Sequence, residues 1–366
     1  MWADYKEKIS SVEAANTFRK IIESSTRHTL GTLEKTDGTI TEPGTETLEY
    51  LLTQHFPSST PVKPTEYNNR SITREEINAF QPDWVTTEKV KQAFHGFQSK
   101  KSPGTDGLKP IILKHLPTDV LNFITSLYKA LLLLEFTPTK WKECRMIFIP
   151  KPGKPSYKLA KAWRPISLTN YLLKGLERLC AWHMDEQVKQ NPVHTLQHGF
   201  RNDRNTDTAL STVANRLEKN TYMDKETIAV FLDIAAAFDT ICPGLIKKKL
   251  LEHGGDPIMV NWYFKFITHR NLHVEINGNL VTKTVCIGFP QGGVCSAKFW
   301  IIAFNEAIEI INTHGAFGNG FADDCVTMIS GKNLKAMMNN LQKVVNKLEA
   351  WGQTAGLKLT PLKQKW

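Results

Sequence analysis

Asp233, Asp323 and Asp324 are the residues of this sequence whose placement asks for a chemical explanation. The pair lies in "GFADDC", with Phe321 and Ala322 on one side and the apolar run "CVTMI" on the other. Two adjacent carboxylates there would suffer both desolvation and mutual repulsion. Asp233 closes the apolar stretch "AVFLD" far upstream. Taken singly, an Asp at a strand end reads as the cap of a following helix, and an Asp pair reads as a turn. Taken together, three carboxylates from two strand ends suit Mg²⁺, which usually binds one or two carboxylates along with substrate phosphates. Two such ions about 3.5 to 4 Å apart form the general apparatus of nucleotidyl transfer. One activates an attacking hydroxyl and the other holds the departing pyrophosphate.

These acids need elements to hold them. "ETIAVFLDIAAAFDTI" reads as a strand ending at Asp233, followed by helix-favouring alanines. "GNGFADDCVTMIS" reads as two short strands turning at Asp323 and Asp324. Between them, "GFPQGGVCSAKFWIIAFNEAIEII" is a Gly- and Pro-rich loop, then an apolar helix starting near Ser296. The loop reads either as a plain connection or as a site where Gly288, Gly292 and Gly293 let backbone approach a base pair or phosphate, with Gln291 adding polar contacts.

Upstream, the first segment reads as helix, followed by the loop "KTDGTITEPG" and a helix "TETLEYLLTQHF" that Thr45 caps and Pro57 ends. "PSSTPVKPTEYNNR" is a connector. From about Thr86 come the helix "TEKVKQAFHGFQSKK", the turn "SPGTDG" and helical segments through Leu134. Between Lys142 and Arg178 there are nine Lys or Arg against two Glu, the densest positive stretch of the chain. Such a surface suits phosphates, or else is a solvated loop. Strands and helices mix without regular alternation, which predicts an α+β fold.

The 366 residues are 41% apolar, ample for a core, and 46 Lys and Arg against 36 Asp and Glu give a net charge of +10. That excess favours an anionic partner, with nucleic acid ahead of a membrane surface. Cys144, Cys180, Cys242, Cys286, Cys295 and Cys325 lie at neither redox nor zinc spacing and read as reduced thiols. The charged N-terminus lacks a secretory core, and no apolar run approaches the 18 or so residues of a membrane span. The expectation is an intracellular protein, in nucleus or cytoplasm, that is neither secreted nor in a membrane.

With "FLDIAAAFD", "GFPQGGVCS" and "FADD" in that order, preceded by "KSPGTDG", "IPKPGK", "WRPISL" and "QHGFR", the chain resembles the reverse transcriptases of non-long-terminal-repeat (LINE-type, jockey-like) retrotransposons. The matches run from about Val90 to the C-terminus, with weaker likeness upstream through "DGTITEPGTETLEYLLTQHFP". The resemblance implies a right-hand polymerase with fingers and palm, an antiparallel palm sheet packed on helices, and DNA synthesis on an RNA template from a DNA primer and deoxynucleoside triphosphates. It implies two Mg²⁺ ions, with Mn²⁺ as an alternative. Asp233 and Asp323 would be the main ligands, the Ile234 carbonyl would help, and Asp324 would support.

By the same resemblance, Lys151 and Arg164 would grip the incoming triphosphate, with Gln291 and Gly292 also at the nucleotide. Phe238 would lie beneath its sugar and exclude a 2′-hydroxyl, and Lys363 in "GLKLTPLK" would be a general acid toward pyrophosphate. The chain departs from the family at Ala235, Ala236, Cys295 and Ala297, changes that would loosen nucleotide placement. It also stops at Trp366, just past the expected palm, so the thumb is expected to be missing. The division expected is a helical segment at 1–60, a connector at 61–85, and fingers and palm at 86–366, with the core about 130–366. Two alternatives stand beside the polymerase. One is an inactive remnant that binds nucleic acid without polymerising. The other, an RNA-dependent RNA polymerase, is disfavoured by "FADD" and Phe238. The oligomeric state is left open.

Overall fold

The computed structural model describes residues 29–57, 73–79 and 82–361. Strands among them are β1 (Glu143–Pro150), β2 (Trp163–Leu168), β3 (Glu226–Ala235), β4 (Arg270–Ile276), β5 (Asn279–Val285), β6 (Phe317–Phe321), β7 (Asp324–Gly331) and β8 (Lys358–Pro361). They form two four-stranded sheets, ordered β2-β1-β4-β5 and β6-β7-β3-β8. The second is antiparallel throughout, and the first has one short parallel pairing, of Glu143–Arg145 with Asn271–His273. The fold is α+β, as the irregular alternation of elements predicts.

The longer helices are α1 (Thr45–His55), α2 (Thr87–His95), α3 (Thr118–Leu133), α4 (Tyr171–Val188), α5 (Thr206–Tyr222), α6 (Pro243–Glu252), α7 (Pro257–Ile267), α8 (Ser296–Thr313) and α9 (Leu334–Ala355). In α9 the buried residues Met337, Leu341, Val344, Leu348, Trp351 and Ala355 recur at steps of three and four, one stripe facing the sheet. By contrast α8 is apolar almost all round, with Phe299 to Asn305 all buried, and it runs through the centre of the main core. That core joins the helices to Leu232 and Ile234 of β3 and to Cys325 and Ile329 of β7.

A separate small core lies between α1 and the first sheet, where Leu48, Leu52 and Phe56 meet Cys144, Met146, Leu272, Val274 and Val285. Beside it Leu51 packs with Leu33, Ala160, Ala162 and Trp163. Thus α1 is a cover on the sheet. Its start differs from expectation: Gly44 is the N-cap and Thr45 the first helical residue, with no side-chain cap bond. Helix α2 is capped as a Thr should cap, Thr86 accepting from the Lys89 N–H at 3.3 Å, but it ends at His95, several residues before the expected "SKK". No helix among the described residues is long and apolar enough to cross a membrane.

Candidate active site

Strand β3 alternates in the ordinary way, so Leu232 and Ile234 point into the core and Asp233 points out of it. The last β3–β7 pair is Leu232 with Cys325, which brings Asp233 level with Asp324 one residue further on. On the other side Asp233 pairs with Thr360 of β8, whose hydroxyl donates to the Asp233 carbonyl at 3.2 Å. In the β6–β7 hairpin Phe321 pairs with Asp324, so the turn is Ala322–Asp323, one residue earlier than the sequence suggests. The hairpin thereby lifts Asp323 to its tip and sets Asp324 at the start of β7.

All three acids line one cavity of about 1140 Å³. Lys151, Arg164, Ile234, Phe238, Gln291, Gly292 and Gly293 line it too, whereas Gly288 does not. Lys363 lies outside the described residues. The electrostatics follow from the crowding. Desolvation first, and then the Asp233 charge, raise the Asp323 carboxyl above the ordinary range, opposed by its own backbone N–H, Arg164 and Lys151. Asp324 is raised by desolvation and by both other acids. Lys151 is lowered by burial and by neighbouring Arg164 and Lys154, with Asp239 and Asp233 pulling the other way.

Among the described residues no three His, Cys, Asp or Glu side chains lie close enough to share one ion. The acids form an open set along the wall, with no closed cage. Hard carboxylate oxygens under mutual repulsion have the donor chemistry of a divalent-cation site that leaves positions to water and substrate phosphate.

Lys151 and Arg164 sit at the loop end of the β1–β2 hairpin, where the Lys151 N–H donates to the Ala162 carbonyl at 2.8 Å and Tyr157 Oη donates to the Lys151 carbonyl at 2.8 Å. Arg164, exposed, pairs with Ile149. Phe238 is half-buried, its ring 5.3 Å from Trp300, 6.1 Å from Phe289 and edge-on to Phe200 at 6.2 Å. Two of the loop glycines make close approaches to protein backbone. A Cβ on Gly292, at φ +115°, would meet the Ser167 carbonyl at 2.7 Å, and one on Gly288, at φ +71°, would meet the Asp239 carbonyl at 2.4 Å. The Ser167 N–H donates to the Gln291 carbonyl at 2.7 Å, which fastens the loop to β2.

Two residues at the cavity escaped the sequence reading. Asp239 is 3% exposed and accepts from Gln291 Nε2 at 2.8 Å, while His55 Nδ1 of α1 approaches its other oxygen at 3.8 Å. The "FD" of "AAAFD" was the available signal for the first, but nothing local to α1 marks His55. At the departures, Cys295 is buried and its thiol donates to the Glu177 carbonyl at 3.0 Å, whereas Ala235, Ala236 and Ala297 simply line the cavity.

Acids from a strand and an adjacent hairpin of the second sheet thus share one cavity with two cations at the loop end of the β1–β2 hairpin of the first. The chain belongs to the reverse transcriptase (RNA-dependent DNA polymerase) family, whose model matches residues 149–366. It is similar to the probable RNA-directed DNA polymerase from transposon BS of Drosophila melanogaster, 28% identical over 292 residues, 76% of this chain and 31% of that protein. The RNA-directed DNA polymerase from mobile element jockey of the same species is 26% identical over 285 residues, 75% of this chain and 31% of that protein. A third relative, the probable RNA-directed DNA polymerase from transposon X-element, is 30% identical over 263 residues, 69% of this chain and 27% of that protein. The chain spans about a third of the length of the curated relatives it matches. Its relatives are polymerases of non-long-terminal-repeat elements.

Proposed function

We propose that this chain is the catalytic core of an RNA-directed DNA polymerase of the non-long-terminal-repeat type, extending a primer 3′-hydroxyl along an RNA template. Residues 86–366 would hold fingers and palm. The first sheet carries the cationic fingers face and the second sheet is the palm. One observation carries the reading: Asp233, Asp323 and Asp324 face Lys151 and Arg164 across a single cavity, the charge pattern that a triphosphate with divalent cations requires.

Asp233 and Asp323, with the Ile234 carbonyl, would hold two Mg²⁺ ions, which supply charge neutralisation at the transferring phosphoryl group. Lys151 and Arg164 orient the triphosphate, and the fixed ring of Phe238 crowds a 2′-hydroxyl. Asp324 supports the hairpin and adds negative potential. Lys363 stands as the candidate proton donor to pyrophosphate.

Primer extension by the purified chain on an RNA template with Mg²⁺, beside an Asp323→Asn control, tests this reading. Extension by the native chain and none by the variant is expected. Template binding without extension by the native chain would move the assignment to a nucleic-acid-binding remnant.

A further inference from the structure

The turn that carries Asp323 is held by a residue outside the charged site. Ala322, the residue before it, adopts a left-handed backbone at φ 58°, a conformation that a side chain bearing Cβ rarely takes without outside support. Its carbonyl receives two side-chain donors: Trp300 Nε1 from α8 at 3.0 Å and Gln197 Nε2 from the "QHGFR" segment at 3.4 Å. Both donors are fully buried. The segment bearing Gln197 also pairs with the hairpin through backbone bonds, the His198 N–H to the Gly320 carbonyl and the Gly320 N–H to the Leu196 carbonyl, each 2.8 Å. Gly199 leaves room for the turn to lie against it, since a Cβ there would sit 2.1 Å from the Ala322 nitrogen.

Trp300 also reaches the other half of the site. Its indole stacks on Phe238 at 5.3 Å and 26° and on Phe304 at 5.6 Å and 13°. Phe304 in turn abuts Trp351 of α9. One rigid side chain therefore fixes both the ring beneath the nucleotide sugar and the backbone that aims Asp323.

We propose that Trp300 is a positioning residue that couples the sugar-side ring Phe238 to the Asp323 turn, and that Gln197 shares its grip on the Ala322 carbonyl. The nucleotide role rests on the polymerase reading above, whereas the grip on the turn does not. The two functions of Trp300 separate by substitution. Trp300→Phe keeps a ring against Phe238 and removes the N–H donor. Trp300→Leu removes both, and Gln197→Leu removes only the second donor.

Hydrogen exchange of the amides from Ala322 to Asp324 reads the turn whether or not any ion binds. Exchange faster by about ten-fold, as loss of one buried hydrogen bond implies, is expected in both Trp300→Phe and Gln197→Leu. Mn²⁺ affinity, read by electron paramagnetic resonance without substrate, should fall by about ten-fold in the same variants, the usual effect of losing a group that orients metal ligands. In extension assays kcat should drop with little change in the nucleotide KM for Trp300→Phe, and Trp300→Leu alone should also relax discrimination against ribonucleotides. Native exchange rates at the turn in both donor variants would overturn the grip. Equal sugar discrimination in Trp300→Phe and Trp300→Leu would overturn the coupling to Phe238. A native chain that neither binds Mn²⁺ nor extends a primer would sink the polymerase reading, while the exchange rates would still decide the grip.

Discussion

Gln291 Nε2 donates to Asp239 Oδ1 at 2.8 Å, and this bond ties the loop before α8 to the segment that follows the first acid. Asp239 is buried, and its second oxygen has His55 of α1 at 3.8 Å. Three parts of the chain that are distant in sequence therefore meet at Asp239. Replacing Gln291 by Leu leaves a buried carboxylate without its amide partner and should lower the unfolding free energy by about 2 kcal/mol, measurable by urea denaturation. Asp239→Asn with Gln291 intact should cost less, because an Asn can still accept from the same amide. Equal stability of Gln291→Leu and the native chain would show that the bond is not made.

Crowding of the three acids predicts a cation response. The raised carboxyls of Asp323 and Asp324 mean that ionising them costs more in the folded chain than in the unfolded one. That cost grows as pH rises from the ordinary carboxylate range through their raised one. Mg²⁺ should relieve it and raise the thermal midpoint, with about 2.7 kcal/mol of stabilisation at a hundred-fold excess over Kd, reversed by chelator. Asp323→Asn should melt higher than the native chain without divalent ions and should gain little from Mg²⁺. Differential scanning calorimetry with and without Mg²⁺ checks both.

A second pH effect comes from Glu177 on α4. Its carboxylate is fully buried, with one oxygen accepting from the Val294 N–H at 3.3 Å and the other, Oε1, without a hydrogen-bond partner. Burial pushes it from an ordinary 4.5 up to about 7, against the Val294 bond, Lys174 and Arg270. A folded acid that holds its proton longer than the unfolded one loses stability as pH rises, here across about 4.5 to 7. The full cost above that window is about 3 kcal/mol. Glu177→Gln keeps the acceptor for Val294 and removes the ionisation, so its stability relative to the native chain should grow between pH 5 and pH 8. Parallel pH profiles of the two proteins in urea unfolding would contradict this.

The small core beneath α1 sets a further expectation. Leu48 is 1% exposed and packs on the first sheet beside Cys144 and Val285. Leu48→Ala should cost about 3 kcal/mol through lost burial and the cavity left behind. A negligible cost in urea denaturation would mean that α1 does not cover the sheet in solution.

Much of the site was legible because its chemistry is written in short strings. Asp233, Asp323 and Asp324 announce themselves as charges where apolar residues belong, and period-two alternation is enough to turn Asp233 away from Leu232 and Ile234. Lys151 and Arg164 lie in the stretch of densest positive charge, but the family resemblance, not the charge, picks them out of its nine cations. Less could be read at the loop. Gly288 and Gly292 require close approach in any reading, but the sequence does not say whether the neighbour is a ligand or the carbonyls of Asp239 and Ser167.

What the sequence determined by itself is the kind of chemistry, an acid trio with a cationic counterpart, and the local elements that carry it. Tertiary structure decided which residues hold those elements in register. His55 meets Asp239 only because α1 lies on the first sheet, and Trp300 reaches the Ala322 carbonyl only because α8 runs behind the hairpin. Neither contact has a local signature, because an indole N–H or an imidazole acquires its role from whatever buried acceptor the fold places opposite it.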